Sequence, residues 1–168
     1  VDFGLGELPE EPGVLLIRGA RQYGKSTWLE QQLRRAVMAH GPATAYYLNG
    51  DELADEEALS GAIRSLLPAF APRARVRRLF IDEITAVAGW ERVIKRLVDS
   101  GELRPVLVVT TGSKATDLRR GAERLPGRKG RLARTDFLFT PVSFGSFART
   151  TGCRVDAEAV LVYVLSGG

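Results

Sequence analysis

The sequence predicts an α/β fold, a parallel sheet covered by helices on both faces. Three observations carry that expectation. Short β-rich apolar runs alternate with stretches of helical periodicity along the chain. One run, Pro105-Val-Leu-Val-Val109, is apolar without interruption, the pattern of a strand buried on both faces. The third is Gly19-Ala-Arg-Gln-Tyr-Gly24-Lys25-Ser26, a G-x-x-x-x-G-K-[ST] spacing set between a strand-like run and a helix-like one.

The elements follow in order. Val14-Leu-Leu-Ile17 is the first strand. The loop after it, from Gly19 through Ala20, Arg21, Gln22, Tyr23, Gly24, Lys25 and Ser26 to Thr27, has the spacing of a nucleoside-triphosphate phosphate loop. Glycines at its ends let the backbone curl so that successive N–H groups point at phosphate oxygens. Lys25 then reaches the β- and γ-phosphates, and the Ser26 hydroxyl is placed to bind Mg²⁺. Ser26 to His40 reads as a helix and Thr44 to Leu48 as the second strand. After an acidic stretch, Leu59, Ile63, Leu66 and Leu67 recur at helical spacing until Pro68 closes that helix. Arg73, Arg75, Arg77 and Arg78 lead into the third strand, Leu79-Phe-Ile81. Trp90, Val93, Ile94, Leu97 and Val98 mark a helix ending near Gly101, before the fourth strand. From Lys114 to Arg134 the chain is basic and carries Gly121, Pro126, Gly127 and Gly130, which reads as a loop. Asp136 to Thr140 is a fifth strand, and Asp156 to Leu165 a final amphipathic helix.

Composition sets bounds on function. At 168 residues and 45% hydrophobic, the chain has enough apolar surface for one substantial core and reads as one domain. No apolar run approaches the roughly 20 residues that span a bilayer. The single Cys153 excludes an intrachain disulfide and suits a reducing cytoplasm. The lone His40 leaves little room for zinc or Ser-His chemistry. The chain starts at Val1 without methionine and ends in what reads as a continuing helix and turn, so a fragment of a longer protein is expected.

A second motif follows the loop by one strand–helix unit. Leu79-Phe80-Ile81-Asp82-Glu83 ends the third strand with adjacent carboxylates. In a nucleotide site Asp82 would hold Mg²⁺ through its water shell, because Mg²⁺ takes few protein ligands. Glu83 would polarise the water that attacks the γ-phosphate. Thr110, Thr111 and Ser113 close the fourth strand. A hydroxyl there reaches the γ-phosphate or the attacking water, or Ser113 simply caps a helix starting at Lys114.

With these residues in place the chain resembles a known group, the AAA+-like ASCE P-loop ATPases of archaea and bacteria usually paired with a C-terminal domain of unknown function (AAA domain family 14). The matching residues are Gly19 to Thr27, Leu79 to Glu83, Val108 to Ser113, and Leu125 to Arg131 leading to Pro141-Val-Ser-Phe144-Gly-Ser-Phe147. The resemblance implies a P-loop NTPase fold, a three-layer sandwich whose central parallel sheet has strand order 5-1-4-3-2. It implies ATP as the nucleotide, with Lys25, Ser26, Asp82, Glu83 and Ser113 in the roles argued above. It also implies that residues 1–168 form the ATPase core of a longer chain, with 156–168 starting a helical segment.

The basic tract 114–134, eight Lys/Arg against two acids, admits three readings. It is a solvated loop, a nucleic-acid contact consistent with pI ≈ 9.6, or the source of an arginine finger, Arg128 or Arg131, acting across a homo-oligomer. The expected activity is Mg²⁺-dependent ATP binding and hydrolysis that rearranges attached domains. Two alternatives stand beside it: a small-molecule kinase, and a nucleotide-gated module that binds DNA or protein with negligible turnover.

Overall fold

Strand β4 (Leu107–Gly112) is buried at every residue, as is β3 (Arg78–Asp82). The alternation along these strands shows why. On β1 (Gly13–Arg18), Val14 and Leu16 enter one apolar cluster while Leu15 and Ile17 enter another. On β3, Leu79 and Ile81 face the first cluster and Phe80 the second. On β4, Val108 faces the first, and Leu107 and Val109 the second. Successive side chains point to opposite faces, so a strand with a helix layer on each face is apolar at consecutive positions along its middle.

The computed structural model describes residues 3–113, 132 and 134–165. Helix α1 (Lys25–His40) covers one face through Leu29 and Ala36. Helices α2 (Glu56–Leu66) and α3 (Trp90–Asp99) cover the other through Leu59, Ile63, Trp90, Val93, Ile94 and Leu97. With β2 (Ala45–Asn49) and β5 (Asp136–Leu138), the sheet runs β2-β3-β4-β1-β5 with every pairing parallel. This is the expected order 5-1-4-3-2 read from the other edge. The chain leaves β1 over one face to the far edge and returns to β4 over the other. The crevice at the carboxyl end of β1 is where such sheets place ligands.

Several elements differ in detail. Thr110 and Thr111 lie inside β4 rather than closing it. Pro68 sits within a short 3-10 turn, Leu67–Ala69, that continues α2. The Pro-x-Ser-Phe turn opens an additional helix, α4 (Phe144–Thr151), in which the Ser143 hydroxyl caps the Ser146 N–H. Its Gly145 and Thr150-Thr151 are poor helix formers, so periodicity gave no sign of it.

The final helix, α5 (Ala157–Leu165), is not amphipathic. Val160, Leu161, Val162, Val164 and Leu165 are all exposed, and its docking rests on the buried Ala159 and on Tyr163, which meets Phe144 and Phe147 and donates to the Val142 carbonyl at 2.6 Å. Near the N-terminus, Phe3 is buried against Trp28, Phe137 and Phe139. Arg78 is also buried and donates to the Leu8 and Pro9 carbonyls, so it belongs to the scaffold. No helix among the described residues is long and apolar enough to cross a membrane.

Candidate functional site

The loop between β1 and α1 is shaped by backbone conformation. Gln22 (φ 65°) and Gly24 (φ 87°) both lie in the left-handed region, the geometry in which successive N–H groups converge on an anion. Gly24 also caps α1, whose first turn carries no acid. The helix N-terminus therefore presents free N–H groups and the positive end of its dipole to the same spot. Gly19 has a different cause from the one expected. Its φ is not positive, and a Cβ there would lie 2.7 Å from the Phe139 carbonyl oxygen. Glycine is required by close packing against the strand end beyond β5.

A pocket of ≈ 550 Å³ opens at this loop, lined by Arg21, Gln22, Gly24, Lys25, Ser26, Thr27 and Glu83. That is the size of a small-molecule site. Lys25 is only 4% exposed and donates to the Gly19 and Ala20 carbonyls at 3.0 and 2.8 Å. Burial pulls its ammonium below the usual lysine range and Arg21 acts in the same direction, against the opposing pull of Glu83 and Asp82. Gly19 and Ala20 thus enter the site through carbonyl groups. Tyr23 turns from the pocket and packs, partly buried, on the α1-side core.

Glu83 links the start of α1 to the residue that follows β4. One carboxylate oxygen lies 3.8 Å from Lys25 Nζ, and the other accepts from both the Ser113 N–H and its hydroxyl at 3.0 Å. The residue sits at φ 43°, ψ 42°, a left-handed conformation that costs a non-glycine residue on the order of 1–3 kcal/mol. Its N–H is held by Asp82 Oδ1 at 3.1 Å and Thr111 Oγ1 at 3.0 Å.

Asp82, 4% exposed, lies one residue behind the pocket wall. The Thr111 hydroxyl bonds its Oδ1, and the Tyr47 hydroxyl donates to its Oδ2 at 3.1 Å. Burial, together with the Asp82 carboxylate, pushes the Tyr47 phenol well above the usual tyrosine range, so it remains a donor.

The hydroxyls of Thr110, Thr111 and Ser113 therefore separate by partner. Thr110 is fully buried and bonds the Leu15 carbonyl, away from the pocket. Thr111 bonds Asp82 and Ser113 bonds Glu83. Sequence reasoning missed Tyr47, whose target depends on the β2–β3 register, and Gly50. A Cβ at Gly50 would lie 2.5 Å from the Glu83 carbonyl oxygen and 3.0 Å from that of Asp82. Arg128 and Arg131 lie outside the described residues, as does the tract 114–131. Arg134 is described and is engaged locally, donating to the Asp136 carbonyl at 3.0 Å with its guanidinium over the Phe137 ring.

The AAA domain family (AAA_14) matches residues 11–148, from before β1 into α4. The chain belongs to the AAA domain family. Solved structures share the fold of this AAA domain. Cdc6p from Pyrobaculum aerophilum matches at 15% identity with a TM-score of 0.56, over 84% of this chain and 44% of its own. The ORC1 protein of Aeropyrum pernix, solved in complex with DNA, matches at 16% identity and TM-score 0.62, over 92% of this chain and 50% of its own. Domain III of the Thermotoga maritima replication initiation protein DnaA matches at 16% identity and TM-score 0.53, over 89% of this chain and 67% of its own. At these identities the likeness is one of fold. The chain spans about half the length of the first two structures. No curated protein matches the sequence. The AAA domain described here has the architecture of an AAA+-like P-loop ATPase.

Proposed function

We propose that this AAA domain binds ATP together with Mg²⁺ and hydrolyses it, and that the cycle acts as a switch for attached domains. One observation carries the reading: the Glu83 carboxylate lies between Lys25 and Ser113 on the wall of the phosphate-loop pocket. The backbone N–H groups of residues 21–27, with the α1 N-terminus, bind the phosphates, and Lys25 exchanges the Gly19 and Ala20 carbonyls for β- and γ-phosphate oxygens. Glu83 accepts a proton from the attacking water. Ser113, bonded to Glu83, senses the γ-phosphate.

The donor set suits a hard, oxygen-seeking cation. Ser26 lines the pocket, and Asp82 behind it is held by hydroxyl and amide donors. Ser26 and Asp82 would hold Mg²⁺, which when bound supplies neutralisation of phosphate charge. A carboxylate at the pocket wall favours water over an organic acceptor, which supports hydrolysis over a kinase reaction.

The test is turnover by Glu83→Gln. The variant is expected to retain ATP affinity within about threefold and to lose at least about 10²-fold in hydrolysis rate, the range for removing a general base. Hydrolysis at the parent rate would remove Glu83 from the role of base.

A further inference from the structure

Tyr47 lies on the edge strand β2, two residues before Asn49, which is in register with Asp82 on β3. Strand alternation turns its ring to the α1 face, where it packs partly buried on the cluster containing Leu29, Ala36 and Phe80. Its hydroxyl extends from that anchored ring to Asp82 Oδ2 at 3.1 Å. The other oxygen, Oδ1, is occupied by the Thr111 hydroxyl and the Glu83 N–H. Asp82 is thus held at both oxygens from two neighbouring strands. Hydrogen bonds at Oδ1 alone would leave the carboxylate plane free to rotate; a donor on Oδ2 removes that freedom.

We propose that Tyr47 is a positioning residue for the divalent-cation site, fixing the Asp82 carboxylate plane so that the lone pair remaining on Oδ2 faces the cation's water shell. The inference rests on the Mg²⁺-nucleotide reading of this pocket. Its physical basis is the strict octahedral demand of Mg²⁺, which keeps most of its waters and therefore depends on carboxylates aimed in advance. Partners of a metal-holding group typically govern metal affinity by about 10- to 100-fold. Nothing in the sequence marks Tyr47 for this role, because an aromatic on a strand ordinarily serves the core.

Calorimetric titration of ATP into the parent, Tyr47→Phe and Asp82→Asn tests it, in EDTA and across a Mg²⁺ series, with thermal melting of each protein alongside. Phenylalanine keeps the ring and its packing. Tyr47→Phe is expected to bind ATP in EDTA within about twofold of the parent. The Mg²⁺ concentration giving half of the metal-dependent gain in affinity should rise about tenfold, in the same direction as for Asp82→Asn. If Asp82→Asn shifts that midpoint and Tyr47→Phe does not, the role of Tyr47 is overturned while the metal reading stands. Equal losses with and without Mg²⁺ would make Tyr47 a packing residue and also overturn it. If the parent binds no ATP, or Asp82→Asn leaves the midpoint unmoved, the underlying reading fails and the inference with it.

Discussion

Replacing Gly50 by alanine places a methyl group against the most constrained backbone in the site. The new Cβ would stand 2.5 Å from the Glu83 carbonyl oxygen and 3.0 Å from both the Glu83 carbonyl carbon and the Asp82 oxygen, well inside the 3.4 Å of ordinary contact. These neighbours are backbone atoms with little room to yield. The Glu83 carbonyl accepts from the Ala86 N–H at 2.9 Å, and the Glu83 N–H is held by Asp82 and Thr111. Overpacking of this kind costs about 1–3 kcal/mol. A value near 2 kcal/mol lowers Tm by roughly 4–8 °C for a chain of this length. Because the displaced atoms belong to Asp82 and Glu83, Mg²⁺-dependent ATP affinity should fall with stability.

Gly61→Ala is the matched control. Gly61 lies inside α2 with nothing within 4 Å of its added Cβ, so the same change should stabilise by about 0.5–1 kcal/mol. Urea unfolding followed by circular dichroism reads both variants. Stability of Gly50→Ala within about 0.5 kcal/mol of the parent, outside the overpacking range, would refute the argument that the end of β3 is rigidly seated.

Ser113→Ala removes a hydroxyl from Glu83 but keeps the backbone N–H that also holds it. The expected result is unchanged ADP affinity with ATP turnover reduced about 10²-fold, the scale of one lost transition-state donor, and parent-like turnover in a steady-state assay would count against the sensing role. Away from the site, the forked Arg64 contact at 2.8 and 3.0 Å, with the Ser100 hydroxyl, holds the Glu102 carboxyl down at about 2. A carboxylate with a lowered folded-state pKa contributes stability that is present above its unfolded pKa, near 4.3, and lost as pH falls towards 2. Carboxyl NMR titration of Arg64→Ala should therefore find Glu102 nearer the ordinary glutamate range, and an unmoved titration would show that Arg64 is not the cause.

The architecture was legible because its central strands are buried on both faces. Val14-Leu-Leu-Ile17, Leu79-Phe-Ile81 and Val106-Leu-Val-Val109 each carry a signal that half-buried strands lack. The phosphate loop was legible because its backbone shape dictates residue types at fixed spacing. Less legible were features set by contacts across the sheet. Gly19 answers to the carbonyl of Phe139, 120 positions later, and Gly50 to the end of β3. Arg78 stands in a run of arginines but spends its donors on the carbonyls of Leu8 and Pro9. Tyr47 reads as one of two adjacent strand aromatics, and only the pairing of β2 with β3 reveals that its hydroxyl meets Asp82. Such partners are fixed by register, which no local pattern encodes.

Whether the phosphate loop binds a nucleoside triphosphate is decided by calorimetric titration of ATP with Mg²⁺ into the parent and into Lys25→Ala. Saturable binding by the parent and none by Lys25→Ala, with both proteins folded by circular dichroism, is the predicted result. Equal binding by the two, or no binding by a folded parent, would contradict it.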